Sequence, residues 1–100
     1  MTSQTSVQAG LQAYPEIDTE VRQKLLAAGH APDDFIPTLF FVGRGLIEAS
    51  YYPRIIAREH EQGNYSVPNY HWVAVTATLA PGGNIAWSHV KLLEAGGWME

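Results

Sequence analysis

Across residues 71–93, apolar and polar side chains alternate in two runs, HWVAVTATLA and NIAWSHVKLL, that flank Pro81, Gly82 and Gly83. Period-two alternation of β-branched and aromatic residues, broken by a turn-forming cluster, predicts a β-hairpin. A loop of two residues (Gly82 and Gly83) or of four (81–84) pairs Ala80 with Ile85 in either case, and that pair sets all the others. One face then collects Val73, Val75, Ala77 and Leu79 with Ala86, Ser88, Val90 and Leu92, the composition of a core side. The opposite face collects Trp72, Ala74, Thr76 and Thr78 with Ile85, Trp87, His89, Lys91 and Leu93. Aromatics mixed with hydroxyls, an imidazole and an ammonium suit a recognition surface. The plainer alternative packs Trp72 and Trp87 beneath helices as core.

Between residues 15 and 28 the period changes to that of a helix. Ile17, Val21, Leu25 and Ala28 recur at spacings of three and four, with Leu26 widening the stripe. Pro15 suits a first helical position, Glu16, Asp18 and Glu20 complement the dipole, and Gly29 followed by Pro32 predicts the stop. Residues 1–12, rich in Ser, Thr, Gln and Gly, read as a flexible arm ahead of a single domain over 13–100.

Residues 33–62 admit two readings. In the favoured one, a strand over 38–47 is bent or broken at Gly43 and Gly45 and leads to a short helix from about Pro53 to Glu61, with Gly63 and Asn64 ending it. The alternative is one helix over 34–49, which two internal glycines disfavour by about 1 kcal/mol each. That helix would make the order helix–helix–helix–hairpin, which resembles a winged-helix DNA binder with Arg54 and Arg58 facing the duplex. Residues 62–70 read as a loop, Gly96 and Gly97 as the end of the hairpin, and Trp98 as a terminal aromatic.

Composition narrows the function classes. The 100-residue chain has no cysteine, which excludes disulfides, thiolate metal sites and cysteine nucleophiles, and fits a reducing cytoplasm. No stretch approaches 18 apolar residues and the N-terminus lacks a signal-peptide pattern, so a soluble cytoplasmic protein is expected, without membrane association. A net charge of −4, and a hairpin with Lys91 as its one charged residue, argue against a nucleic-acid partner. Few charges and many aromatics after Gln62 point instead to a protein partner or a second copy of the chain.

Chemistry-bearing motifs are sparse. The four histidines form neither a helical i, i+4 pair nor an HxH strand pair, and His71 and His89 fall on opposite hairpin faces, so neither a metal nor another cofactor is expected. No GxSxG elbow is present, and Gly43-Arg44-Gly45 is too short to cradle phosphate. Arg54 and Arg58 lie four apart, where they either hold an anion or bridge to Glu48, Glu59 or Glu61. His89, opposite Thr76 with Glu48, Tyr51 or Tyr52 as neighbours, is the best-placed acid–base candidate.

The expected fold is α+β: an N-terminal helix and a small antiparallel sheet ending in a long C-terminal β-hairpin, with helices on one face. The expected function is an interaction or regulatory module, not an enzyme, that self-associates as a dimer through Trp72, Thr76, Trp87, His89 and Lys91. The alternative is a small-molecule binder or small enzyme whose pocket lies between that face and the Tyr51-Tyr52 segment, with Arg44 orienting the ligand.

Overall fold

The computed structural model describes residues 2–96 and the side chains of residues 7–96; Gly97 and Trp98 lie outside them. The elements are α1 (Thr2–Ala13), α2 (Pro15–Ala27), a 3₁₀ turn (Pro32–Asp34), β1 (Phe35–Gly43), β2 (Leu46–Pro53), α3 (Arg54–Glu61), β3 (Tyr70–Leu79) and β4 (Ile85–Ala95). The four strands form one antiparallel sheet in the order β1-β2-β3-β4. The fold is α+β, with an N-terminal helix and a C-terminal hairpin, as the alternation of periods predicted.

Helix α2 follows its sequence closely. Pro15 opens it, and Ile17, Val21 and Leu25 are almost wholly withdrawn from solvent. Beyond its last turn Gly29 adopts φ +87°, the His30 N–H donates to the Leu25 carbonyl at 2.9 Å, and the Gly29 N–H donates to that of Leu26 at 3.0 Å. That is the Schellman pairing, which turns the chain sharply and delivers His30 beside the sheet.

The segment expected as an arm is instead helix α1. Its polar composition hides a stripe, Val7, Gly10, Leu11 and Tyr14, at helical spacing. Val7 and Gly10 are buried and Leu11 and Tyr14 half-buried against the core. A Cβ on Gly10 would fall inside van der Waals contact of the Phe40 ring, so glycine lets the helix approach β1 this closely.

Residues 34–49 are not a helix, which removes the basis of a winged-helix order. The strand expected over 38–47, bent or broken at Gly43 and Gly45, is two paired strands, with Gly43 opposite Leu46 across a two-residue turn. Arg44 keeps a negative φ while Gly45 takes +69°, the φ signs of a type II turn. Thr38 is the extra residue of a bulge between Pro37 and Leu39, and its hydroxyl lies 3.0 Å from that of Ser50.

The β3–β4 register matches the sequence from Tyr70 opposite Ala95 to Thr78 opposite Trp87. Near the turn it departs: Leu79, not Ala80, pairs with Ile85, and a bulge there absorbs Ala86. The N–H of Ala80 donates to the Asn84 carbonyl at 2.7 Å and that of Gly83 to the Ala80 carbonyl at 2.8 Å, so residues 80–84 form a closed loop. Ile85 consequently packs on the core side and Ala86 is exposed, the reverse of their expected placement.

One cluster joins Val7, Ile17, Val21 and Leu25 of the first two helices to Phe35, Phe40, Ile47, Ala49, Tyr51, Val73, Val75 and Ala77 of the sheet. Two polar ties fix α2 over it. The Tyr51 hydroxyl donates to Asp18 Oδ1 at 2.8 Å, and the Ser88 hydroxyl donates to Glu20 Oε1 at 2.7 Å. Helix α3, which follows directly on Pro53, buries Ile56 and Ala57 outside this cluster, and its His60 ring rests on Tyr52 and Tyr70 of the opposite sheet face. Among the described residues no helix is long and apolar enough to cross a membrane.

Candidate functional site: the open face of the sheet

Because side chains alternate along each strand, burial of Ile47, Ala49 and Tyr51 and of Val73, Val75 and Ala77 sends their neighbours to the other face. The register arranges that face in rows across β1, β2, β3 and β4. Gly43, Leu46, Thr78 and Trp87 form one row; Phe41, Glu48, Thr76 and His89 the next; Leu39, Ser50, Ala74 and Lys91 the third. Beyond them Tyr52, Trp72 and Leu93 lead to the rings beside α3.

An antiparallel sheet with one solvated face ordinarily presents polar groups there. Here Leu39 (51%) and Phe41 (54%) on one edge strand and Trp87 (54%) on the other are half exposed, on the same face as the half-buried Leu46 and Leu93. Glu48 and Lys91 are the only carboxylate and ammonium on these rows, and neither forms an ion pair among the described residues, where Arg22–Asp33 is the single one. Trp87 lies nearly parallel to His89, with ring centroids 6.0 Å apart, so the indole stacks on the next ring of this face along β4.

Toward α3 the face becomes a run of stacked rings. Tyr52 stacks on Trp72 at 5.2 Å and 10°, sits 5.9 Å from Tyr70, and meets His60 edge-on at 5.6 Å. His60 in turn stacks on the exposed Tyr65 at 4.9 Å. Burial, and to a lesser extent the neighbouring Tyr52, push the Tyr70 hydroxyl above the usual phenol range.

Of the residues singled out in the sequence, Trp72, Thr76, Trp87, His89, Lys91 and Tyr52 all sit on this face. Tyr51 does not: it points into the core, where burial and the Asp18 carboxylate raise its pKa. A pocket built from Tyr51 and Tyr52 together is therefore not formed, since alternation places them on opposite faces. Arg44 is exposed in the β1–β2 turn, beyond the row that holds Trp87. Glu48 and His89 both lie opposite Thr76, on either side of β3, so a strand separates the two groups that acid–base chemistry would need in hydrogen-bond reach. Arg54 and Arg58 do not bridge to a carboxylate among the described residues; Arg54 Nε instead donates to the Asp33 carbonyl at 2.8 Å.

Sequence reasoning missed Leu39 and Phe41. Their place on the face follows from the two-residue turn at Arg44 and Gly45, and the paired glycines around Arg44 were the available signal. It also missed the approach of His30 to His71, whose ring centroids are 5.2 Å apart; no short-range spacing encodes that pair. Comparison with known proteins assigns no family: no family model, no curated protein and no solved structure matches the chain.

Proposed function

We propose that the chain is a non-enzymatic interaction module that pairs with a second copy of itself through the open face of the sheet. The observation that carries this reading is that Leu39 and Phe41 on one edge strand and Trp87 on the other, each about half exposed, share a face whose strand rows hold one carboxylate and one ammonium. Withdrawing these side chains from water supplies the driving force, at about 25 cal/mol per Å² of apolar area.

The charge pattern favours a second copy over an unrelated partner. Glu48 on β2 and Lys91 on β4 flank β3 in successive rows. A two-fold axis lying between facing sheets, and crossing β3 at Val75, sets Glu48 of each copy opposite Lys91 of the other. The contact is then made twice, as an isologous interface requires. The same axis brings the two Trp87 rings to one edge of the interface and Phe41 toward the partner's β4.

Sedimentation equilibrium on the full chain tests this. A dimer is expected at micromolar concentration, and Trp87→Ala and Phe41→Ser should each shift it toward monomer. A monomer at about 200 µM, or dimerisation untouched by both substitutions, overturns the reading.

A further inference from the structure

A cleft of about 450 Å³ opens where the end of α2, the 3₁₀ turn, the start of α3 and the beginning of β3 meet. None of the residues that carry the association reading lines it. Its walls are partly apolar, from Phe35, Pro53 and Ile55, and partly polar, from His30, His71, Tyr70, Arg54 and Asp34. The volume lies within the range of small-molecule sites, and a few convergent polar groups on an apolar wall are their usual composition.

The two full charges in this wall are not used on each other. Arg54 Nε donates to the Asp33 carbonyl at 2.8 Å, which orients the guanidinium and leaves its terminal N–H groups available. Asp34, the next residue along the turn, brings its carboxylate to the same cleft, yet the two make no ion pair. Asp33 itself is engaged by Arg22 at 2.8 Å, which holds its carboxyl below the usual range. Helix α3 begins here without a side-chain cap on its N–H groups, adding positive potential on the Arg54 side. The same cleft is lined by two imidazoles 5.2 Å apart, with His30 braced edge-on against Phe35 at 5.7 Å.

A guanidinium and a carboxylate that line one cleft without pairing, together with aromatic and aliphatic walls, match a ligand that carries both charges and an apolar body. The geometry points to a binding site for a small zwitterion of the α-amino acid class, its carboxylate on the Arg54 fork, its ammonium on Asp34 and its side chain against Phe35 and Ile55. The imidazole N–H groups of His30 and His71 supply further hydrogen bonds to the carboxylate.

L-Phenylalanine is the probe, titrated into the full chain while the imidazole resonances of His30 and His71 are followed by NMR. Binding is expected with a Kd on the order of 1 mM. N-acetyl-L-phenylalanine, which lacks the ammonium, and L-phenylalaninamide, which lacks the carboxylate, should each bind about tenfold more weakly. Asp34→Asn should abolish the preference over the N-acetyl compound, and Arg54→Gln the preference over the amide. Arg58→Gln, one turn further along α3, should change neither. Asp34 and Arg54 are exposed, so both variants are expected to fold; if Arg54→Gln loosens the Asp33 contact, Asp34→Asn still tests the ammonium arm. Absence of shifts at His30 and His71 at about 20 mM probe overturns the proposal. So does N-acetyl-L-phenylalanine binding as tightly as phenylalanine, which would make this a simple anion site.

Discussion

Gly10 decides whether the first helix belongs to the fold. In an isolated helix, alanine at this position would be favourable by about 1 kcal/mol. Against the sheet, a methyl group there meets the Phe40 ring, and overpacking of this kind costs about 1–3 kcal/mol. Gly10→Ala is therefore expected to destabilise the protein in urea denaturation; a stabilising effect would mean that α1 does not dock on β1. Tyr51 makes a second prediction at this scale. Burial first, and the hydrogen bond to Asp18 second, raise its pKa in the folded state. A raised pKa contributes stability that is fully present below the unfolded value of about 10 and is lost as pH rises beyond it. Stability should fall above pH about 10, by at most about 1.4 kcal/mol per pH unit from this group. Tyr51→Phe should flatten that fall while costing about 1–2 kcal/mol at neutral pH through the lost bond to a carboxylate. The Arg22–Asp33 pair acts in the opposite sense, since a depressed carboxyl pKa contributes above the unfolded value and is lost on acidification. Both partners are on the surface, so its effect should be small and disappear in salt.

The elements show how bulges edit a register that alternation sets. Along most of β3 and β4 the cross-strand pairs are those the turn residues imply, because a one-residue slip would move Val73, Val75 and Ala77 out of the core. Only the last pair before the turn differs, where the closed loop over 80–84 takes one more residue from β3 and the bulge at Ala86 restores the phase. Ile85→Ala should therefore cost about 1–2 kcal/mol, whereas Ala86→Ser should fall within about 0.5 kcal/mol of the parent. Equal effects in thermal unfolding would return Ile85 to the outer face. Helix α2 was legible from Ile17, Val21 and Leu25 and from its terminal Pro15 and Gly29, because its caps and stripe agree. Helix α1 was obscured because half its stripe is a glycine and a tyrosine, whose role as contact surface exists only once Phe40 is in place. The β1–β2 pairing was hidden for a related reason. A bulge at Thr38 breaks the alternation, and two glycines around Arg44 read equally as a bend or as a turn. The open face was half legible: the hairpin contributed Trp72, Trp87, His89 and Lys91, while Leu39, Phe41 and Glu48 joined them only through strand order.

For the whole molecule, the arrangement is a sheet with α1 and α2 closing one side and a largely uncovered apolar surface on the other. The two sheet edges also differ: β1 carries Pro37 and a bulge, devices that discourage edge pairing, whereas β4 is a longer edge strand without a proline. Four strands about 4.8 Å apart, of 9, 8, 10 and 11 residues, give a face of roughly 600 Å² before side-chain relief. That is on the small side of a standard interface, for which about 800 Å² of accessible surface per partner is typical, and it predicts a micromolar dimer rather than an obligate one. The most direct test of this account is a charge-reversal cycle read by sedimentation equilibrium. Glu48→Lys and Lys91→Glu should each weaken the dimer about tenfold or more, by setting like charges opposite one another twice. The double variant should recover the parent's dissociation constant to within about threefold. A double variant as weak as either single one, or single variants indistinguishable from the parent, would contradict a two-fold pairing of the open faces.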